Sequence, residues 1–353
     1  MNCSKSCFAN PWFRPAFLSV AVGVYFAAAM GAEADWASWR GPECDGIAGS
    51  KGWNPEKLKS GVKKLWRDDV GKGYSSVSIS SGMLYTMGNA GGKDIVRCLN
   101  AVTGKEIWSH SYPCKSGSYS GPRATPTVEG KLVYTVSRNG KVTCYASGDG
   151  AVKWSVNITK KYGAKPPKWG HSASARVEDG RLLLNAGKHG IVLDAKTGGK
   201  IWSGGGGVCG YAFPVIYKGG GRKMILMFSQ RALHGVDPVS GKKMWSYGWR
   251  TKHDVNAADP IVSGDHVFIS SGYGKGGALL NIKGGKPEKV WENREMKNHF
   301  STCVLINDHL YGLDGQVKGG TLKCLEFKTG KKQWAYGRGL CNMSAVDDNV
   351  LAF

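Results

Sequence analysis

Cys98-Leu-Asn-Ala-Val-Thr-Gly-Lys-Glu-Ile-Trp108 decides the fold, because the chain writes it several times over. Cys324-Leu-Glu-Phe-Lys-Thr-Gly-Lys-Lys-Gln-Trp334 repeats it closely. Between them lie Val192-Leu-Asp-Ala-Lys-Thr-Gly-Gly-Lys-Ile-Trp202 and Gly235-Val-Asp-Pro-Val-Ser-Gly-Lys-Lys-Met-Trp245. Cys144-Tyr-Ala-Ser-Gly-Asp-Gly-Ala-Val-Lys-Trp154 is a weaker copy, and Leu280-Asn-Ile-Lys-Gly-Gly-Lys-Pro-Glu-Lys-Val-Trp291 carries one inserted residue. Val62-Lys-Lys-Leu-Trp66 opens the series, so the tryptophans at 66, 108, 154, 202, 245, 291 and 334 stand 42, 46, 48, 43, 46 and 43 residues apart.

Each unit reads as an apolar strand, a tight Thr/Ser-Gly-Lys turn whose glycine takes a positive φ, and a second strand ending in Trp. An interval in the forties holds four short strands with their turns, which is the size of a propeller blade. No long 3.6-residue hydrophobic period occurs between the tryptophans, which excludes a helical solenoid. The sequence therefore predicts an all-β propeller of four-stranded blades. Six blades are complete from 67 to 334, and a partial closing blade starts at 343. Segment 58–70 is expected to supply the closing strand, in a chain truncated from a seven- or eight-bladed ring. Trp66, Trp108, Trp154, Trp202, Trp245, Trp291 and Trp334 are read as structural, each filling the wedge between neighbouring blades with about 150–250 Å² of buried ring.

Composition agrees. The 52 glycines in 353 residues suit many tight turns, and the 41% hydrophobic content supplies a full core. Lys5 and Arg14 precede an apolar run over 15–31 and a small-x-small site at Ala32-Glu33-Ala34, so 1–34 reads as a signal peptide. A leader over 35–57 and the propeller over 58–353 follow, in a periplasmic or secreted protein with no transmembrane span after cleavage. The formal charge of +22 is carried on lysines that sit singly or in pairs at turns, such as Lys105, Lys200, Lys242 and Lys331. That pattern is a solvated surface and predicts no specific nucleic-acid partner. Cys98, Cys144 and Cys324 occupy one repeat position, which suits small core residues better than disulfides.

The Ala/Asp-x-x-Thr-Gly-Lys-x-x-Trp pattern resembles pyrroloquinoline-quinone-like (PQQ-like) repeats, found in quinoprotein dehydrogenases and in the outer-membrane assembly lipoprotein BamB. The opening Trp36-Ala-Ser-Trp39-Arg40-Gly41-Pro42 resembles the leader of exported bacterial propellers of this type. The resemblance covers about 36–353 and implies the fold. It implies activity poorly, since functions are grafted onto folds.

The segment entering each inner strand faces any ligand in such a fold. These segments carry Tyr74, Arg123, Trp169, His171, Tyr211, Asn256, His299 and Asn342, which together predict a binding site at the channel mouth. Arg123 can fork to a carboxylate or phosphate, His171 and His299 can exchange protons near neutral pH, and Tyr74, Trp169 and Tyr211 can stack on flat rings or sugars. The resemblance to dehydrogenases implies a calcium-held PQQ, an Asp base and an adjacent Cys-Cys pair, but the chain has no Cys-Cys. Asp254 and Asp259 are the nearest imitation of a base. Zinc-hydrolase and nucleophile-elbow motifs are missing, and Gly205–Gly210 and Gly272–Gly277 match G-x-G-x-x-G only as turn glycines. The expectation is a monomeric, non-catalytic binding or scaffolding module, without metal or cofactor, for a protein, peptide or polysaccharide. A PQQ-dependent dehydrogenase is the alternative, and a BamB-like assembly factor, which would carry a lipid-anchor cysteine, is the second.

Overall fold

The computed structural model describes residues 35–49, 53–115, 117–316, 319–340 and 342–352. The signal-peptide reading of 1–34 lies outside them. Among the described residues no helix is long and apolar enough to cross a membrane.

The repeats fold into consecutive antiparallel sheets. Blade I is Ser78–Ser80, Met83–Ala90, Lys93–Asn100 and Glu106–Pro113; blade II is Thr127–Glu129, Leu132–Val136, Lys141–Ala146 and Val152–Asn157. Blade III is Arg176–Glu178, Arg181–Leu184, Ile191–Asp194 and Lys200–Ser203; blade IV is Val215–Gly219, Arg222–Phe228, Ala232–Val236 and Lys243–Gly248. Blade V is Ile261–Ser263, His266–Ser271, Gly276–Asn281 and Glu288–Asn293; blade VI is Val304–Ile306, His309–Gln316, Gly319–Glu326 and Lys332–Leu340. A last sheet holds Met343–Val346 and Asn349–Ala352. Its third strand is Ile47–Ala48, which pairs in parallel with Met343–Val346. The early strand that joins the last sheet is therefore Ile47–Ala48 and not one from 58–70. Pro55–Ser60 forms a 3₁₀ helix, capped by Asn54 and with proline in its first turn, and 61–71 has no strand pairing.

Register explains the repeat. Tyr85, Cys98 and Trp108 lie opposite one another across three strands, as do Tyr134, Cys144 and Trp154, and Tyr311, Cys324 and Trp334. A cysteine in the middle is small enough to let the outer rings approach, and the ring centroids lie 5.9–6.1 Å apart.

The turn before each outer strand is a docking point for the preceding blade. Asn100 Oδ1 accepts hydrogen bonds from the Val102 and Thr103 amides, and Asp194 and Asp237 do the same for Thr197 and Ser240. The turn then closes through a glycine at positive φ, 71° at Gly104 and 72° at Gly198. That glycine also lies flat under an indole: a Cβ on Gly198 would stand 2.6 Å from Trp154 Cδ2. The indole donates to the turn it covers, Trp66 to Ala101 O at 3.1 Å, Trp108 to Ser147 O at 2.7 Å and Trp154 to Ala195 O at 3.0 Å. Trp202 donates to Pro238 O and Trp291 to Phe327 O, both at 3.0 Å. Trp245 departs from this. Gly235 stands where the other repeats carry Cys, Val or Leu, so the ring settles on its own sheet and its Nε1–H has no partner. The Arg222 guanidinium covers Gly285 in its place. Trp334 is exposed.

The leader runs along the inner strands. The Trp36 carbonyl accepts from the Ile79 amide and the Ala37 carbonyl from Val128, in blades I and II. Trp39 Nε1 donates to Asp259 Oδ2 at 2.7 Å, and Arg40 Nη2 donates to the Cys303 carbonyl at 2.7 Å, at the entries to blades V and VI. Gly41, at φ 84°, packs under the Trp36 ring, where a Cβ would meet Cζ3 at 2.7 Å.

Candidate functional site

The loops that enter the inner strands, together with the turns at Arg138 and Tyr273 between second and third strands, carry three groups of aromatic and cationic side chains. Arg123 lies 5.2 Å from the Tyr74 ring centroid and donates to the carbonyls of Tyr119 (2.7 Å) and Gly121 (3.2 Å). Arg138 also donates to the Tyr119 carbonyl, at 3.3 Å. Burial, and then this second guanidinium, lowers the basicity of Arg123. Neither arginine has a carboxylate partner among the described residues, so two positive charges share one corner uncompensated.

Trp169 and Tyr211 continue the surface with centroids 6.0 Å apart. Burial raises the Tyr211 phenol to about 12, with nearby Arg123 acting against that rise. Tyr273 follows, edge-on to His253 at 4.7 Å and to His299 at 4.8 Å, with Phe300 3.8 Å from His299. Burial and then nearby Tyr119 raise the Tyr273 phenol. Tyr74, Tyr119 and Phe300 are 59–63% exposed, which is unusual for rings this large.

Two of these rings stand on strained backbone. Tyr119 has φ 56° and Tyr273 φ 55°, and no other aromatic residue among those described has positive φ. A bulky side chain in the left-handed region costs about 1–2 kcal/mol. The remaining non-glycine cases are mostly Asp, Asn and Ser, types suited to turns.

Of the residues named from the sequence, Tyr74 pairs with Arg123, Trp169 with Tyr211, and His299 with Tyr273, in three separate contacts. Others are positioned differently. His171 is buried, with Nε2 3.3 Å from Thr159 Oγ1 and Nδ1 3.8 Å from Cys209 Sγ, and burial lowers its pKa to about 4. It is a neutral packing residue. His299, also lowered to about 4 by burial, is neutral at pH 7 as well, so neither exchanges protons near neutrality as expected. Asn256 is fully buried. Its Nδ2 donates to the carbonyls of Ser229, Gln230 and Trp249, and its Oδ1 accepts from Ser271, so it has nothing left to offer a ligand. Asn342 is exposed beside the last sheet. Tyr119, Arg138 and Tyr273 were missed. The signal for the tyrosines was their setting in Ser-Tyr-Ser-Gly and Gly-Tyr-Gly, sequences of turn type that hold a ring no turn requires.

A calcium-held quinone does not fit the donors present. Asp254 is forked by Arg231 at 2.6 and 3.0 Å. Asp259 is buried and its pKa is raised by that burial; its oxygens accept from Trp39, the Phe213 amide and Thr302. Both carboxylates are thus engaged within the chain, Asp259 through both of its oxygens and Asp254 through Oδ2. Among the described residues no group of three or more His, Cys, Asp or Glu side chains is placed to hold a metal.

These features define an all-β propeller of PQQ-like repeats. The family model described as outer membrane protein assembly factor BamB matches residues 92–336, and the chain belongs to that family. BamB of Escherichia coli (strain K12) is 32% identical over 111 residues, 29% of this chain and 28% of the relative; BamB of Salmonella typhimurium is 30% identical over 112. The aligned part thus spans little more than a quarter of these curated relatives. The crystal structure of BamB from Moraxella catarrhalis superposes with a TM-score of 0.57 at 18% identity, over 77% of this chain and 76% of that one. A europium-containing methanol dehydrogenase superposes at 0.64 with 10% identity, over 90% and 81%. At such identities the likeness is one of fold.

Proposed function

We propose that the chain is an exported, non-catalytic propeller that acts in the periplasm or outside the cell and holds a partner molecule on its aromatic end face. One observation carries this reading: Tyr119 and Tyr273 are held in costly left-handed backbone on different blades, close enough to interact electrostatically. Strain of this kind persists where the surroundings enforce it, and it clusters at binding sites. Exposed rings beside the half-buried Arg123 offer flat apolar faces and a hydrogen-bond donor together, the combination that small and extended ligands use. Engagement of Asp254 and Asp259 argues against the dehydrogenase alternative.

The test is a paired screen of the protein and its Tyr119→Ser/Tyr273→Ser variant on peptide and glycan arrays. The proposal expects a ligand class retained by the parent and lost by the variant. Identical profiles would overturn it. Membership of the BamB family favours, as a second reading, a protein partner in outer-membrane assembly. A peptide class lost by the variant would support that form.

A further inference from the structure

Beside Tyr273 the end face runs into a cavity of about 420 Å³ between blades IV and V. Arg250, Lys252, Lys275, Lys289 and Arg294 line it, with Glu292 as its one acidic residue. Glu292 is already shared, 2.9 Å from Lys275 Nζ and 3.3 Å from Lys289 Nζ. Arg250, Lys252 and Arg294 have no carboxylate partner among the described residues. Lys275 is pinned as well, its ammonium 3.9 Å from the Trp249 ring centroid. Uncompensated cations therefore stand beside both strained tyrosines: Arg123, with buried Arg138, beside Tyr119, and this cavity beside Tyr273.

Resting on the end-face reading, we infer that the ligand is an anionic polysaccharide. Its sugar faces lie on the exposed rings, and its carboxylate or sulfate groups reach Arg123 and the Arg250–Lys252–Arg294 cavity. Charge alone would suit an acidic peptide equally well. The rings favour the glycan, because a sugar presents a flat C–H face to an exposed aromatic, whereas the cavity lacks the apolar pockets that take peptide side chains.

Binding of fluorescent polygalacturonate, dextran sulfate, neutral dextran and polyglutamate to the full chain tests this, at low and at 0.15 M salt. Polygalacturonate or dextran sulfate should bind roughly tenfold or more tightly than dextran or polyglutamate, and weaken with salt. Which of the two binds more tightly identifies the carboxylate or the sulfate as the preferred group. Arg250→Gln/Arg294→Gln should lower that affinity by about tenfold with the circular dichroism spectrum unchanged. Polyglutamate binding as well as the glycans, or the double variant binding like the parent, would overturn the inference. If the tyrosine pair matters on the arrays while Arg250 and Arg294 do not, the end face stands and the anionic-glycan assignment falls. If neither pair matters, both fall.

Discussion

The tryptophans of the outer strands and the tyrosines of the end face are both large rings, used in opposite ways. Five of the tryptophans lie over a glycine turn and donate a hydrogen bond to it, and each does so with the same geometry. The end-face rings repeat no geometry. Tyr119 and Tyr273 sit at left-handed loop positions, and Tyr74 and Phe300 are largely exposed. What recurs holds the blades together, whereas the exposed end-face rings Tyr74, Tyr119 and Phe300 take no part in that rim packing.

Substitutions can break or sharpen that contrast. The largest effect is expected at Trp202, where replacement by Ala should cost about 3–5 kcal/mol in denaturant unfolding, while binding per folded molecule stays the same. A loss within 1 kcal/mol or so would remove the rim from its structural role. His171 belongs with the buried set, and its pH response checks this. Its folded pKa of about 4 is below the unfolded value of 6.5, so the unfolded chain takes up the proton first. Its contribution should be full above pH 6.5 and fall toward pH 4 by an amount of order 3 kcal/mol; His171→Asn should remove that share of the decline and leave those of His234 and His299, which burial also lowers to about 4. A ligand-facing histidine would instead move the pH profile of binding.

Gly198→Ala places a Cβ against Trp154 at positive φ and should cost about 1–3 kcal/mol, visible as a lower Tm. A finer comparison lies within the rim. Trp202→Phe deletes a hydrogen bond to Pro238 and should cost about 1 kcal/mol more than Trp245→Phe, whose Nε1–H has no partner to lose. At the small end, Tyr273→Asn relieves left-handed strain and should raise stability by about 0.5–1 kcal/mol while array binding falls. Equal losses of stability and binding would place Tyr273 with the tryptophans.

The fold was legible because its determinants recur. A turn that needs glycine, an Asn or Asp that caps it and an indole that covers it must return at every blade, and a single chain displays that return. Even Trp245 was only half visible: the insertion before Trp291 marked an irregular turn, but the effect of Gly235 on the indole required coordinates. The site was legible by position and not by orientation. Arg123 and Asn256 both come from loops entering inner strands, and both residue types can bind ligands. Only the carbonyls of Ser229 and Gln230, 27 and 26 residues away, together with that of nearby Trp249, decide that Asn256 is already engaged. The leader was hidden for the same reason, since Trp39 finds its acceptor 220 residues away.

That leader also imposes an order of events on folding. The Gly46 carbonyl accepts from the amide of Ala345 and the hydroxyl of Ser344, the latter across 298 residues. A blade closes over some forty residues and can form as soon as its own strands are available, whereas this contact has to await the last sheet. The strand Ile47–Ala48, synthesised early, is therefore among the last to reach its final place. Trp36 can dock as soon as blade I forms, whereas Trp39, Arg40 and Gly46 wait in turn for Asp259, Cys303 and Ala345, so the leader settles residue by residue as the later blades arrive.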